Sequence, residues 1–197
     1  MISVLDYGAG NLRSVQNALS AIGAPHALVR DADGVLGAER IIFPGVGHFG
    51  QMMRALDALG IRGALLERIR AGVPFLGICL GLQALFATSE EAPGERGLGV
   101  YPGEVSRFRG DVRVPHMGWN RIEPRPGTRL FRHAGEKPHV YFAHSYYCPV
   151  IAETSATCEY AVPCTAAIEN DNVFGVQFHP EKSGVLGLRI LRNFLET

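Results

Sequence analysis

The strongest constraint on this chain is an alternation in its first half. A short apolar run is followed by a glycine-containing loop and then by residues at helical spacing. "ISVLD" ends in the glycines of "YGAG", and "NLRSVQNALSAIG" follows. In it Leu12, Val15, Leu19 and Ile22 recur at helical intervals, with Asn11 as candidate N-cap and Gly23 as a stop. "HALVR" reads as a second strand. "RIIF" is a clearer one, followed by the loop "PGVG" and a helical region from about His48 to Ala71, broken near Gly60. "VPFLGI" is the next strand, and "LGLQALFATS" the next helix. Strand–loop–helix units with apolar strands predict an α/β fold with a mainly parallel central sheet flanked by helices.

The second half reads as short β segments separated by turn residues: "GLGVYPGEVSRF", "DVRVPHMGWNRIEP", "HVYFAHSYYCP", "TCEYA", "CTAAIEN" and "NVFGVQFHP". These are expected to add hairpins and mixed strands to the parallel core. A last helix, "VLGLRILRNFLE", carries Leu186, Ile190, Leu191, Phe194 and Leu195 on one stripe. With 197 residues, 47% of them hydrophobic, the chain can bury a sizeable core. No repeat or linker divides it, so residues 1–197 read as a single domain.

Charge and cysteine usage exclude several classes. Nineteen Lys and Arg balance nineteen Asp and Glu, so nothing draws the chain generally to nucleic acid or anionic membranes. No apolar run approaches the ~20 residues of a membrane span. "MISVLDYGAG" lacks the basic and apolar regions of a signal peptide. Cys79, Cys148, Cys158 and Cys164 lack CxxC spacing and suit neither a zinc site nor a disulfide framework. The expectation is a cytoplasmic protein with no metal and no cofactor.

Three segments carry chemistry. Gly77-Ile78-Cys79-Leu80-Gly81 has the form G-x-C-x-G at a strand-to-helix turn, the cysteine version of a nucleophile elbow. Small neighbours permit a strained turn, and the N-terminus of the following helix favours a thiolate and supplies N–H groups for an oxyanion. The plain alternative is a buried structural thiol. His179, at the end of the apolar run "NVFGVQF", precedes Pro180 and lies two residues before Glu181. It is the best-placed base among seven histidines, with Glu181 to orient it; an ordinary strand-end histidine is the alternative. "FPGVGHFG" is a glycine-rich loop that lacks the G-K-[ST] ending of a phosphate loop, and "GAGNLR" has Arg13 where a dinucleotide fingerprint needs glycine. Gly45, Val46 and Gly47 instead suit the second half of an oxyanion hole opposite Cys79. His144 either lines the site or packs in the core. The other three cysteines read as inert core residues.

The order P-G-V-G, G-I-C-L-G, F-H-P-E resembles the class I, or triad, glutamine amidotransferases. "DYGAGNLRSVQNAL", "PGVGHF", "GICLGLQALF", "PHMGWN" and "FHPEKSG" together are similar to the glutaminase subunits of imidazole glycerol phosphate synthases, from Asp6 to the final helix. One departure is Leu82, where methionine is more usual; the swap conserves volume.

The resemblance implies glutamine as substrate, a γ-glutamyl thioester on Cys79, His179 as acid and base, and Glu181 as its orienter. Leu80 N–H and Val46 N–H would form the oxyanion hole. Gly47, Gln83, Glu91, Ser145 and Tyr146 would hold glutamine, with Glu91 facing its α-ammonium. Ammonia would pass to a (β/α)8-barrel synthase subunit that binds the ribonucleotide, in histidine biosynthesis. Asn11, with the Gly8–Asn11 loop, and Pro115, His116, Met117, Trp119 and Asn120 would form the docking face, Trp119 as an anchor. The glycines of "PGVG" would permit a peptide flip that governs the oxyanion donor, which is worth ~3 kcal/mol. Two other readings stay open at this point. One is a free-standing cysteine hydrolase or the glutaminase of another synthase, and the other a non-catalytic regulatory subunit.

Overall fold

A computed structural model describes residues 1–9 and 11–197. The first half alternates as its sequence dictates. In chain order come β1 (Ile2–Leu5), α1 (Leu12–Ala21), β2 (His26–Val29), α2 (Ala32–Leu36), β3 (Ile41–Gly45), α3 (Phe49–Ala58), α4 (Ile61–Arg70) and β4 (Phe75–Cys79). Gly60 adopts a left-handed φ of 67° and separates α3 from α4. Gly23, at φ 70°, ends α1. Asn11 is the N-cap of α1, but its side chain accepts from Ser14 Oγ rather than from a backbone N–H. The short α2 starts at Asp31, whose carboxylate accepts from Gly34 N–H at 2.8 Å.

After Cys79 the expected long helix is a single turn, α5 (Leu80–Gln83), and Phe86–Ser89 is instead strand β5. Phe86 and Thr88 are better strand than helix formers, and they pair with Tyr101 and Glu104 of β6 (Tyr101–Arg107). Tertiary pairing overrides the helical spacing there. The remaining elements are β7 (His116–Arg121), β8 (Glu123–Pro124), β9 (His139–His144), β10 (Tyr146–Tyr147), β11 (Thr154–Tyr160), β12 (Val162–Asn170), β13 (Val173–Val176), a 3-10 turn (Pro180–Lys182) and α6 (Gly184–Leu195).

The main sheet has the order β2-β1-β3-β4-β13-β12-β11-β8. Pairings from β2 to β13 are parallel, and those from β13 to β8 antiparallel. This is the expected parallel core extended by hairpins. Its strands alternate between two cores. Leu5, Ile41, Phe43 and Phe75 pack under α3 and α4 on one face. Val4, Ile42, Leu76 and Ile78 meet Val15 and Leu19 of α1 and Ile190, Leu191 and Phe194 of α6 on the other. Burying each such large side chain is worth about 2 kcal/mol, so both helix layers are firmly held. Two smaller sheets, β10-β6-β5 and β7-β9, reach the pocket at the end of β4 through Tyr146 and through Met117, Ala143 and His144.

Candidate active site

The carboxyl end of β4 presents Cys79 at φ 55° and ψ −107°, a left-handed backbone for a non-glycine residue. Such strain costs about 1–3 kcal/mol and persists only where the surroundings enforce it. Here glycines do so by letting backbones touch. A Cβ on Gly77 would lie 2.6 Å from the Gly81 carbonyl carbon, and one on Gly45 would lie 2.8 Å from Gly81 N. A Cβ on Gly81 would collide with the Phe43 carbonyl. β3, β4 and the start of α5 therefore interlock around the turn. Because α5 has only four residues, it offers Cys79 the free N–H groups of one turn rather than the dipole of a long helix.

β13 brings the base. It pairs in parallel with β4, Val176 beside Ile78, and the chain runs on to His179 near Cys79. His179 Nδ1 lies 2.9 Å from Glu181 Oε1, with both side chains buried. Tyr141 C=O accepts from His179 N–H at 2.9 Å, and Ser183 Oγ donates to His179 C=O at 2.7 Å, so the residue is held on both sides of its Cα. With Nδ1 engaged by Glu181, Nε2 remains for the sulfur. Burial alone lowers the imidazole pKa, but hydrogen bonding and charge from Cys79 and Glu181 outweigh it and raise the value to about 10. The proton is thus held on His179 near neutral pH.

Cys79, His179, Val46, Gly47, Leu80, Gln83, Glu91, Ser145 and Tyr146 line one cavity of about 310 Å³. That volume suits a small ligand. Phe49 N–H, at the start of α3, donates to Glu91 Oε2 at 2.7 Å, which leaves Oε1 for a cation. Buried Gln83 donates from Nε2 to Tyr146 C=O at 2.9 Å and to Gln177 Oε1 at 3.1 Å. Gln177, which the sequence reading passed over, points Nε2 at Cys79 Sγ, 3.7 Å away. Its only signal was a polar residue inside the apolar run "VFGVQF". Among the described residues no cluster of His, Cys, Asp and Glu has the makings of a metal site.

The docking candidates divide. Met117 and Trp119, on one face of β7, are 60% and 58% exposed, so Trp119 is not a core aromatic. Pro115 and Met117 reach the cavity rim. Asn11 and Asn120 are half-buried, and Gly10 of the Gly8–Asn11 loop lies outside the described residues. His116 differs from its expected role. It is buried, because alternation along β7 turns it inward to stack between Phe142 and Tyr160.

His116 belongs to a polar chain with His144, which lines the cavity. His144 Nδ1 is 2.7 Å from Tyr146 C=O, which can only accept, so Nδ1 carries the proton. His144 Nε2 then accepts from His116 Nδ1 at 3.1 Å, and His116 Nε2 accepts from Asn120 Nδ2 at 3.4 Å. Burial lowers both pKa values, to about 4 for His116 and about 3 for His144, so both rings are neutral near pH 7.

The profile of the family described as "Glutamine amidotransferase class-I" matches residues 3–197. The chain belongs to the class I glutamine amidotransferases. Within them its relatives include imidazole glycerol phosphate synthase subunits. The HisH subunit of Methanothermobacter thermautotrophicus is 48% identical, over 100% of this chain and 98% of its own length. That of Thermococcus kodakarensis is 48% identical over 98% of each. The chloroplastic imidazole glycerol phosphate synthase hisHF of Arabidopsis thaliana is 46% identical over 99% of this chain, a match covering 34% of the plant protein. Among solved structures, a glutamine amidotransferase superposes at TM-score 0.78 with 22% identity, over 99% of this amidotransferase chain and 97% of the other. PurLQS from Thermotoga maritima gives 0.77 at 22% identity, with the same coverage. At that identity these two speak to the fold alone.

Proposed function

We propose that the chain is the glutaminase subunit of an imidazole glycerol phosphate synthase in histidine biosynthesis. The observation that carries the chemistry is a strained, pocket-lining Cys79 beside a His179 whose Nδ1 is held by buried Glu181. The names of the full-length relatives carry the pathway.

In this reading glutamine lies in the cavity with its side-chain amide against Cys79. The Cys79 sulfur attacks the amide carbon as thiolate, its proton held on His179. The resulting oxyanion takes hydrogen bonds from Leu80 N–H and Val46 N–H, a contribution worth ~3 kcal/mol per donor. His179 gives its proton to the nitrogen, the C–N bond breaks, ammonia leaves, and a γ-glutamyl thioester remains. His179 then takes a proton from water, hydroxide adds to the thioester carbon, and the C–S bond breaks to release glutamate. Glu91 Oε1 meets the α-ammonium, while Gly47, Gln83, Ser145 and Tyr146 shape the rest of the glutamine site.

The ammonia passes to a (β/α)8-barrel synthase subunit. The Arabidopsis relative, most of whose length lies outside the match, fits such a pairing in one chain. Pro115, Met117, Trp119 and the Gly8–Asn11 loop form the docking face, with His116 behind it. The functional unit is the whole of residues 1–197, acting as one domain. Four free cysteines suit a reducing cytoplasm, and among the described residues no helix is long and apolar enough to cross a membrane.

The test is glutamate release from glutamine, by the chain alone and with a barrel synthase subunit plus its ribonucleotide ligand, with Cys79→Ser as control. Stimulation that vanishes in Cys79→Ser supports nucleophile and partner together. A Cys79-dependent rate indifferent to the barrel subunit removes the pathway assignment. No rate under any condition removes the glutaminase.

A further inference from the structure

The glutaminase steps leave Gln177 without a task. It directly follows β13, its backbone N–H donates to Ala166 C=O at 2.8 Å, and its side chain is wholly buried. Burying an amide is costly unless its polar ends find partners. The partners of Gln177 decide which end faces the nucleophile.

Its orientation follows from two neighbours. Tyr146 C=O can only accept, so the end of the Gln83 amide that lies 2.9 Å from it is Nε2. The second hydrogen of that nitrogen goes to Gln177 Oε1 at 3.1 Å. Cys148 agrees. Burial, reinforced by Cys79, raises its thiol pKa well above the ordinary range, so the thiol keeps its proton and donates to Gln177 Oε1 at 3.8 Å. Two donors thus converge on the oxygen, and Nε2 is left to face Cys79 Sγ at 3.7 Å.

Cys79 lines the cavity and Gln177 does not. The amide therefore meets the sulfur from the core side and leaves the cavity side to the ligand. Other groups surround the same sulfur. Tyr7 and Cys148 stay neutral near pH 7, because burial raises both pKa values, that of Tyr7 to about 12. His179 carries the proton, and Glu91, His144 and Lys182 line the same cavity. A hydrogen bond to an ionised acceptor is roughly twice as strong as one to a neutral acceptor, so a fixed N–H donor favours thiolate over thiol.

We propose that Gln177 is a catalytic residue whose side-chain N–H holds the Cys79 sulfur as thiolate from the core side, with Gln83 and Cys148 fixing its orientation. The proposal rests on the glutaminase reading and adds a second donor to the sulfur beside His179.

The test is Gln177→Met, which removes the amide and roughly conserves volume. Alkylation of Cys79 by iodoacetamide is followed against pH in the full chain, with the Cys79 adduct resolved by peptide mass spectrometry. The rising part of the rate profile is expected to move up by about one pH unit, a tenfold loss of thiolate stability. The plateau at high pH should hold or rise, because a less stabilised thiolate is the stronger nucleophile. A merely structural contact would leave the profile in place or change the rate equally at every pH, and either outcome overturns the proposal. On glutamine at neutral pH, kcat is expected to fall on the order of tenfold with KM unchanged. A raised KM with kcat intact overturns it as well.

The second measurement is an NMR titration of the Gln177 side-chain amide in the wild-type chain, which needs no change at position 177. One Nε2 proton should shift downfield over the pH range in which alkylation accelerates, and the shift should vanish in Cys79→Ala. A resonance that stays still across that range overturns the proposal. The two readings fail separately, since alkylation requires no turnover of glutamine. Cys79-dependent glutamate release with an unmoved alkylation profile sinks only the role of Gln177. A moved profile without any glutamate release sinks the glutaminase and leaves the donor in place.

Discussion

The side of the pocket that carries Cys79 and His179 and the side that carries Val46 line the same cavity but are fixed by different means. Cys79 ends β4, locked by strand pairing and glycine-mediated close contact, and His179 lies three residues beyond β13, held by Tyr141 C=O and Ser183 Oγ. Glu181 is buried against His179. Moving Cys79 means disrupting the sheet, and moving His179 or Glu181 means breaking buried hydrogen bonds. The Val46 peptide, by contrast, is held among the described residues by the Tyr7 hydroxyl and lies between a wedged glycine and one with open space beside it. Two hydrogen bonds to a phenol are worth a few kcal/mol at most. The difference teaches where control belongs. Changes at the triad should scale the partner-free and partner-stimulated rates together, whereas changes at the Val46 side or docking face should alter their ratio.

The largest expected effect sharpens the first half of that contrast. Cys79→Ser should lower glutamate release on the order of 10⁴-fold or more, with and without the partner. A residual rate that the partner still stimulates strongly would break the picture of a fixed triad. Next comes Glu181→Gln, expected to cost on the order of 10²-fold in both states. Because Glu181 helps raise the His179 pKa, an NMR titration of the imidazole should shift downward in the variant.

Trp119→Ala addresses the other half. More than half exposed, Trp119 should contribute little to the fold and much to docking. Affinity for the barrel subunit is expected to fall by about 2 kcal/mol, roughly 30-fold, while the partner-free rate and the melting temperature hold. Unchanged affinity would move the docking face elsewhere.

The smallest effect concerns the histidine chain behind that face. His116 and His144 have folded pKa values of about 4 and 3, below the ordinary 6.5 of an unfolded chain. Between those values the unfolded state binds more protons. Their contribution to stability is therefore complete above pH 6.5 and is lost as pH falls towards 4 and then 3. Urea midpoints should drop over that window, and His116→Phe, which keeps a ring between Phe142 and Tyr160, should flatten the drop. An identical pH slope in wild type and variant would remove His116 from the account.

Much of this was legible in the chain itself. Apolar runs alternating with helical spacing determined the parallel core, and G-x-C-x-G determined a tight turn with small neighbours, because both are local patterns of period and size. The histidine, the carboxylate and the glycine loop could be named one by one for the same reason. The expected helix over Leu80 to Ser89 failed after Gln83 because the pairing of Phe86 with Tyr101 is not written in its own spacing. His116 was placed on the surface by its neighbours in "PHMGWN" and turned inward by strand alternation.

What only the tertiary structure decided are the meetings of distant segments. Parallel pairing of β13 with β4 puts Gln177 beside Cys79, 98 positions earlier. β1 and β3, adjacent in the sheet, set Tyr7 against Val46, 39 positions later. A sequence fixes which residues can make a hydrogen bond. Which partners they reach depends on strand order and burial, and these are settled only when the whole core packs at once.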